Sequence, residues 1–303
     1  MNNSNDINAY AVQHGLVGLC EETLEGLIQQ KPGYTIDKAK QFLKFNERLK
    51  HELLQHDIIK RNPFCEWFSK GDISTDQLKH FVVQFSVFSN LFLIAQLLKV
   101  INADSLESMR AGKEILANEI GVIFNDKKAQ QKDGVKDEEG ELVSTQGSVD
   151  GGTFKFQAAH FEWLLRLGEK IGLGFDDMGK RRHGTESTLF FCDELQRLYG
   201  SDHYQKSQAS SYAVENWAAA GFWDQLVSGF ETYNQAHNTR LPISFFTWHA
   251  KIEAQHAAHT QEELEELYFS TEIHEDEFIT YGNEMLDGVA AFWNGLEKDR
   301  QAS

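Results

Sequence analysis

The chain has 303 residues, 41% hydrophobic and 12% aromatic, which is ample material for a large core. Acidic residues outnumber basic ones by 46 to 29, and the net charge of -17 opposes nucleic acid or an anionic membrane as the main partner. Cys20, Cys65 and Cys192 lie far apart with no CxxC pair, which argues against a disulfide framework and for a reducing, cytoplasmic setting.

In chain order, "MNNSNDINAY" has neither the basic start nor the apolar run of a signal peptide. "CEETLEGLIQQ" and "IDKAKQFLKFNERLKHELLQHDII" show helical spacing of apolar residues around the turn "KPGYT". "NPFCEWFSKGDISTDQLKHF" reads as a short helix, a Gly-Asp turn and a Ser/Thr/Asp start to a long helix reaching about residue 101. Gln84, Ser86, Ser89, Asn90 and Gln96 interrupt that apolar helix, so it reads as core and not as a membrane span. Residues 104–124 are expected as another helix. Residues 127–157 are polar, charged and glycine-rich, and read as an inserted flap or hairpin.

Helical patterns resume at "HFEWLLRLGEKIGL" and continue through "TESTLFFCDELQRLYG", "SSYAVENWAAAGFWDQLVSGFETYNQ", "PISFFTWHAKIEAQHAAHTQEELEELYF" and "IHEDEFITYGNEMLDGVAAFWNGLEK". There are only 3 prolines and no internal repeat. The expected architecture is one all-α domain, a bundle of about eight to ten helices with N-terminal helices over 1–60 and a core over 62–300.

His249, Glu253 and His256 in "HAKIEAQH" are spaced by four and three, so on a helix they fall within roughly 60° of one another. Imidazole plus carboxylate is a donor mixture suited to iron, manganese or zinc. One helix cannot enclose a metal, so partners are needed. Glu215, in an apolar helix beside Ala218 and Ala219, is one candidate, with a buried salt bridge as its alternative. Glu119 in "NEIG" is a second, or else a surface residue at a helix end. His160 opens a helix as a ligand, a cap or a core histidine. His259 lies further round the helix, as an outer-layer or surface residue. The segment is not HExxH, and "EAQH" is the only Glu-x-x-His in the chain, so neither the metalloprotease nor the ferritin-like pattern is met.

The ordered set "NPFCEWFSKGDISTDQLKHFVVQF", "NEIG", "HFEWLLRLGEKIGL", "YAVENWAAAGFWDQL" and "HAKIEAQH" resembles the haem-oxygenase-like fold family, particularly its di-iron oxidases and oxygenases. That resemblance implies a haem-oxygenase-like helical bundle. It implies metal ligands Glu119, His160, Glu215, His249, Glu253 and His256, holding two iron ions or an iron–manganese pair. Dioxygen would be co-substrate, and a small amino-acid- or amine-like molecule the substrate, through N-oxygenation, desaturation or C–C cleavage. An electron donor and a homodimer are the partners it allows.

Two features depart from the family pattern. Glu253 stands where aspartate is common, and about 40 residues separate Glu119 from His160, where the family has a few turns at most. Asp126, on the face of Glu119 if that helix continues, is the alternative to His160. The same fold hosts metal-free enzymes, thiaminase-like or cofactor-free oxidases. A thiaminase-like member would rely on a cysteine and carboxylates, and no cysteine here sits in a convincing motif. Haem oxygenase itself would need an early histidine, for which His51 and His56 are available, although exposed helix positions account for both. A non-catalytic helical scaffold is the third reading. Arg166, Arg240 and Lys251 are the basic residues weighed for binding a substrate carboxylate, against ordinary surface positions.

Overall fold

Ser74 starts the axis of the bundle. Its hydroxyl accepts the amide of Gln77, and the Gln77 side chain accepts the amide of Ser74, so two otherwise unpaired helix-end donors are satisfied reciprocally. The helix that follows, α6, runs Thr75–Ile101 and is apolar on nearly every face, as a helix must be when others surround it. By length and composition alone it could cross a bilayer, but Phe81 and Phe85 on it are 1% and 0% exposed in the middle of the protein core.

The computed structural model describes residues 3–124, 144–149, 152–156 and 158–302, without the side chains of 252–259 or of most of a small sheet. Before α6 come α1 (Asn3–His14), α2 (Glu21–Ile28), α3 (Ile36–Glu52), α4 (Asp57–Lys60) and α5 (Pro63–Phe68). After it come α7 (Leu106–Glu119) and the strands β1 (Val122–Phe124), β2 (Ser144–Val149) and β3 (Gly152–Phe156). Then follow α8 (His160–Lys170), α9 (Glu186–Glu194) with a π-helical turn Leu195–Tyr199, and α10 (Tyr204–Ala218). The chain ends in α11 (Phe222–His237), α12 (Ser244–Ser270) and α13 (Glu275–Ala302). Helix α6 packs on α7, α8 and α9; α12 packs on α8, α10 and α11; α13 packs on α9 and α10.

The core is unusually aromatic. Phe85 alone lies within ring-stacking range of Phe246 at 5.4 Å, Phe245 at 5.8 Å, Trp223 at 6.0 Å and Trp293 at 6.3 Å, so one side chain joins α6, α11, α12 and α13. Burial of each such ring stabilises the fold by about 1.5–3 kcal/mol relative to exposure.

The all-helical bundle expected from the sequence is present, with three local corrections. The helix expected over 104–124 stops at Glu119, because Gly121 takes a left-handed φ of +68° and the next three residues form β1. The single pattern through "YAVENWAAAGFWDQL" is two helices, α10 and α11, separated at Gly221 with φ +88°. Thirteen α-helices are present among the described residues, more than the eight to ten expected, because of that break, the N-terminal α1 and the short α4. The expected hairpin is the β2–β3 pair, and β3 also pairs antiparallel with β1 to give the order β1-β3-β2. The remainder of the 127–157 insertion lies outside the described residues.

Candidate metal centre

The small sheet explains how Glu119 and His160 meet although they are 41 residues apart in sequence. Val122 lies opposite Phe156 in the antiparallel β1–β3 pair, so the chain leaves and re-enters the bundle at the same place. Glu119 is three residues before that rung, at the last position of α7, and His160 is four residues after it, at the first position of α8. The Glu119 carboxylate and His160 Nδ1 are 2.8 Å apart, with side chains 14% and 5% exposed. Glu119 closes its helix, where the unpaired carbonyls favour a nearby cation over a bare carboxylate.

His249 reaches the same point from the first turns of α12. Donor atoms of Glu119, His160 and His249 all lie within 4.8 Å of one another, the one such group among the described residues. His249 Nδ1 donates to the Phe245 carbonyl one turn back at 2.6 Å, which fixes the ring and commits Nδ1 as a donor. A ring nitrogen held in this way by a backbone carbonyl is the usual support for a metal-binding histidine.

Aromatic rings wall the cluster. Trp223 stacks on the His249 ring at 4.6 Å, and Phe245 lies 4.2 Å from it. Trp163 and Trp248 lie 5.3 and 4.8 Å from the His160 ring. Trp163, Trp223 and Phe245 are buried, so the polar groups sit in a low-dielectric pocket where charge interactions are strong. Sequence reasoning missed these walls. Their signal was helical spacing: Trp163 follows His160 by three, and Trp248 adjoins His249.

The other expected residues fall as follows. Glu215 is half-buried on α10 and lines a small cavity with Ser211 of α10 and Thr260 and Glu263 of α12. Positions 249, 253, 256, 260 and 263 form one stripe along α12, so Glu253 and His256 lie between the two described ends, about 6 and 10 Å along the axis from His249. The side chains of Glu253, His256 and His259 lie outside the described residues. So does Asp126, and its geometric premise fails because α7 ends before it. Lys251 and Arg240 are exposed, and Arg166 is half-buried. His51 is exposed, while His56 accepts the Ile58 amide as the cap of α4 and pairs with Asp287 at 3.2 Å.

The thiols are poorly placed for nucleophilic work. Burial first, then the hydrogen bond to Glu265, pushes Cys20 up to about 12, and burial does the same to Cys192. Complete burial raises Cys65 well above the usual thiol range. Alkylation of the folded protein by iodoacetamide at mildly alkaline pH is therefore expected to be far slower at all three sites than in denaturant, as read by mass spectrometry. A fast-reacting folded thiol would contradict this. The sign for stability follows: thiols raised by folding favour the fold below the ordinary thiol value of 9.0, and that contribution is lost as pH climbs from there toward about 12.

The strand pairing gives a second test. β3 is the central strand, so Lys155→Pro, opposite Ile123, breaks the regular strand there and distorts the join between Glu119 and His160. Metal affinity is expected to fall about 10–100-fold, the scale for losing an orienting partner, while helical circular dichroism holds. Unchanged affinity would show that the sheet does not set the site.

No protein-family model matches the chain, and no curated protein does. Solved structures do. A domain of unknown function with a haem oxygenase-like fold from Shewanella denitrificans aligns over 86% of this chain and 92% of its own, at TM-score 0.52 and 14% identity. The fold is haem-oxygenase-like. A CADD-like protein of unknown function from Nostoc punctiforme aligns over 88% of this chain and 99% of its own, at TM-score 0.52 and 16% identity. Within this haem-oxygenase-like bundle, the Glu119–His160–His249 cluster joins the ends of α7, α8 and α12.

Proposed function

We propose that the chain is a non-haem oxidase or oxygenase that uses two iron ions, or an iron–manganese pair, with dioxygen to oxidise a small amino-acid- or amine-like substrate. The observation that carries this reading is the convergence of Glu119, His160 and His249 inside an aromatic wall. One carboxylate and two imidazoles from three helices suit iron or manganese, and the group is too buried for an ordinary surface cluster. Glu215, Glu253 and His256 are proposed to complete the two-metal site along the same stripe of α12.

The bound metals would supply the binding and reduction of dioxygen, which no protein side chain provides. The chain's residues do the rest. The Phe245 carbonyl holds the His249 ring in place through Nδ1. The Glu119 carboxylate and His160 Nδ1 hold each other by a hydrogen bond of 2.8 Å, which orients both groups toward the cluster. Trp163, Trp223, Phe245 and Trp248 exclude water, which keeps a reactive oxidant from solvent. The outcome on the substrate is N-oxygenation, desaturation or C–C cleavage, with electrons from an external donor.

Against the thiaminase-like alternative stand the raised, buried thiols. The test is dioxygen consumption at an oxygen electrode by ferrous-loaded protein. Uptake in proportion to protein, absent after zinc loading, supports the reading. No consumption above free ferrous iron contradicts it.

A further inference from the structure

Three buried indole N–H groups, those of Trp217, Trp223 and Trp293, lack any hydrogen-bond partner among the described residues. Buried donors are nearly always paired, and phenylalanine would fill such apolar space without this cost. Core packing therefore accounts for large rings at these positions but not for tryptophan. All three indoles touch one ring, Phe222, at centroid distances of 4.7, 4.5 and 5.5 Å. Trp223 also stacks on His249 at 4.6 Å. From Trp293 the contacts run outward to Phe64 at 5.8 Å and then to Trp67 at 5.4 Å. Trp67 is half-buried and lines a surface cleft with His80, Asp76 and Asp299, under the guanidinium of Arg300 at 4.8 Å.

We propose that Trp67, Trp293 and Trp223 form a relay that carries single electrons from the surface cleft between α5, α6 and α13 inward to the Glu119–His160–His249 site. The relay rests on the oxidase reading for its use, though the ring contacts exist without it. Tryptophan is the side chain here that can give up one electron and recover it, with Phe222 and Phe64 as short bridges between indoles. Among the described residues the indole N–H groups of Trp223 and Trp293 meet no base that would take a proton, so each ring, once oxidised, is restored by an electron alone. Trp217 shares the unpaired N–H and stacks on Phe222, as a side branch off this line.

The electrostatics give the relay a direction. Trp223 and Trp293 are 6% and 1% exposed in apolar surroundings, where a positive ring is disfavoured. At Trp67 water reaches the ring and Asp76 stands in the same cleft, while Asp299 is paired with His80 at 3.0 Å. Arg300 opposes a positive ring, but it is itself paired with Glu297. The positive hole therefore moves outward as the electron moves inward. The balance is simple: Trp67 loses one electron, the oxidant at the inner end gains it (a dioxygen-derived one-electron oxidant in the proposed function, photogenerated ruthenium(III) in the test below), and no bond forms or breaks along the line. An external one-electron donor, such as ascorbate, restores Trp67 from the cleft.

The test uses the full chain without metal, so that it stands apart from the metal reading. A ruthenium polypyridyl photosensitiser is attached at Asp224→Cys, exposed on α11 and adjoining Trp223 in the chain, in a Cys20→Ser background. Flash-quench then makes a one-electron oxidant at the inner end, and oxidised tryptophan is mapped by peptide mass spectrometry. Oxidation is expected at Trp67, and it should fall several-fold in Trp293→Phe. Trp223→Phe gives a second, independent break in case the first variant folds poorly by circular dichroism. Trp67 oxidation that is absent in the parent, or unchanged in both variants, overturns the relay. Iron uptake, measured separately, decides the metal reading: a chain that binds iron without passing the hole loses the relay only, and the reverse result loses the metal only.

Discussion

His249→Ala is expected to abolish tight metal binding while leaving the bundle folded. His249 is the one member of the described cluster supplied by α12, and its ring is already fixed by the Phe245 carbonyl. Loss of an orienting partner alone costs about 10–100-fold in affinity, so loss of the ligand itself is expected to exceed about 100-fold. His249 is only half-buried at the edge of the aromatic core, so the loss of stability should be modest. Equilibrium metal titration beside thermal unfolding separates the two effects. A variant that binds iron as tightly as the parent would remove His249 from the site, and the α12 stripe with it.

The second large effect falls on the fold. Phe85 is fully buried and its ring meets aromatic residues of α11, α12 and α13, including Trp223 and Phe245, which flank His249. Phe85→Ala leaves a cavity in a closely packed interior, and the expected loss is about 3–5 kcal/mol. The measurement is chemical denaturation, read as a lower midpoint. Since the same cavity lets Trp223 and Phe245 shift, metal affinity is expected to drop as well, though less than in His249→Ala. A loss under about 1 kcal/mol would mean that the core repacks freely around this position.

Much of the fold is legible from local signals. The start of α6 at Ser74 and its end near Ile101 follow from a Ser-x-x-Gln cap and a long apolar run, both local in sequence. What is not legible depends on distant partners. In sequence "GVIF" continues the apolar pattern of a helix, and only pairing with β3, some thirty residues later, makes it a strand. The left-handed glycines at 121 and 221 were visible as letters, yet a lone glycine in a helical pattern is tolerated too often to decide a break.

The site divides in the same way. His249 was legible from helical spacing, and Glu119 and His160 from apolar context and resemblance to a known family. Their approach to 2.8 Å was not legible, because the long insertion between them looked like distance when the sheet makes it a closed loop. For the same reason Asp126 is an alternative in sequence alone, and the end of α7 at Glu119 removes the shared helix face on which it rests. The aromatic wall was hidden by composition. With 22 phenylalanines and 6 tryptophans in the chain, the three-residue step from His160 to Trp163 is a faint signal, and nothing local marks Trp223 as a neighbour of His249 rather than ordinary core.

The most direct test of the central claim is an anaerobic titration of the metal-free protein with ferrous iron, with bound metal counted after removal of the free ion. The proposed site predicts saturation near two irons per chain, and loss of that uptake in His249→Ala. No stoichiometric uptake by the parent protein would contradict it.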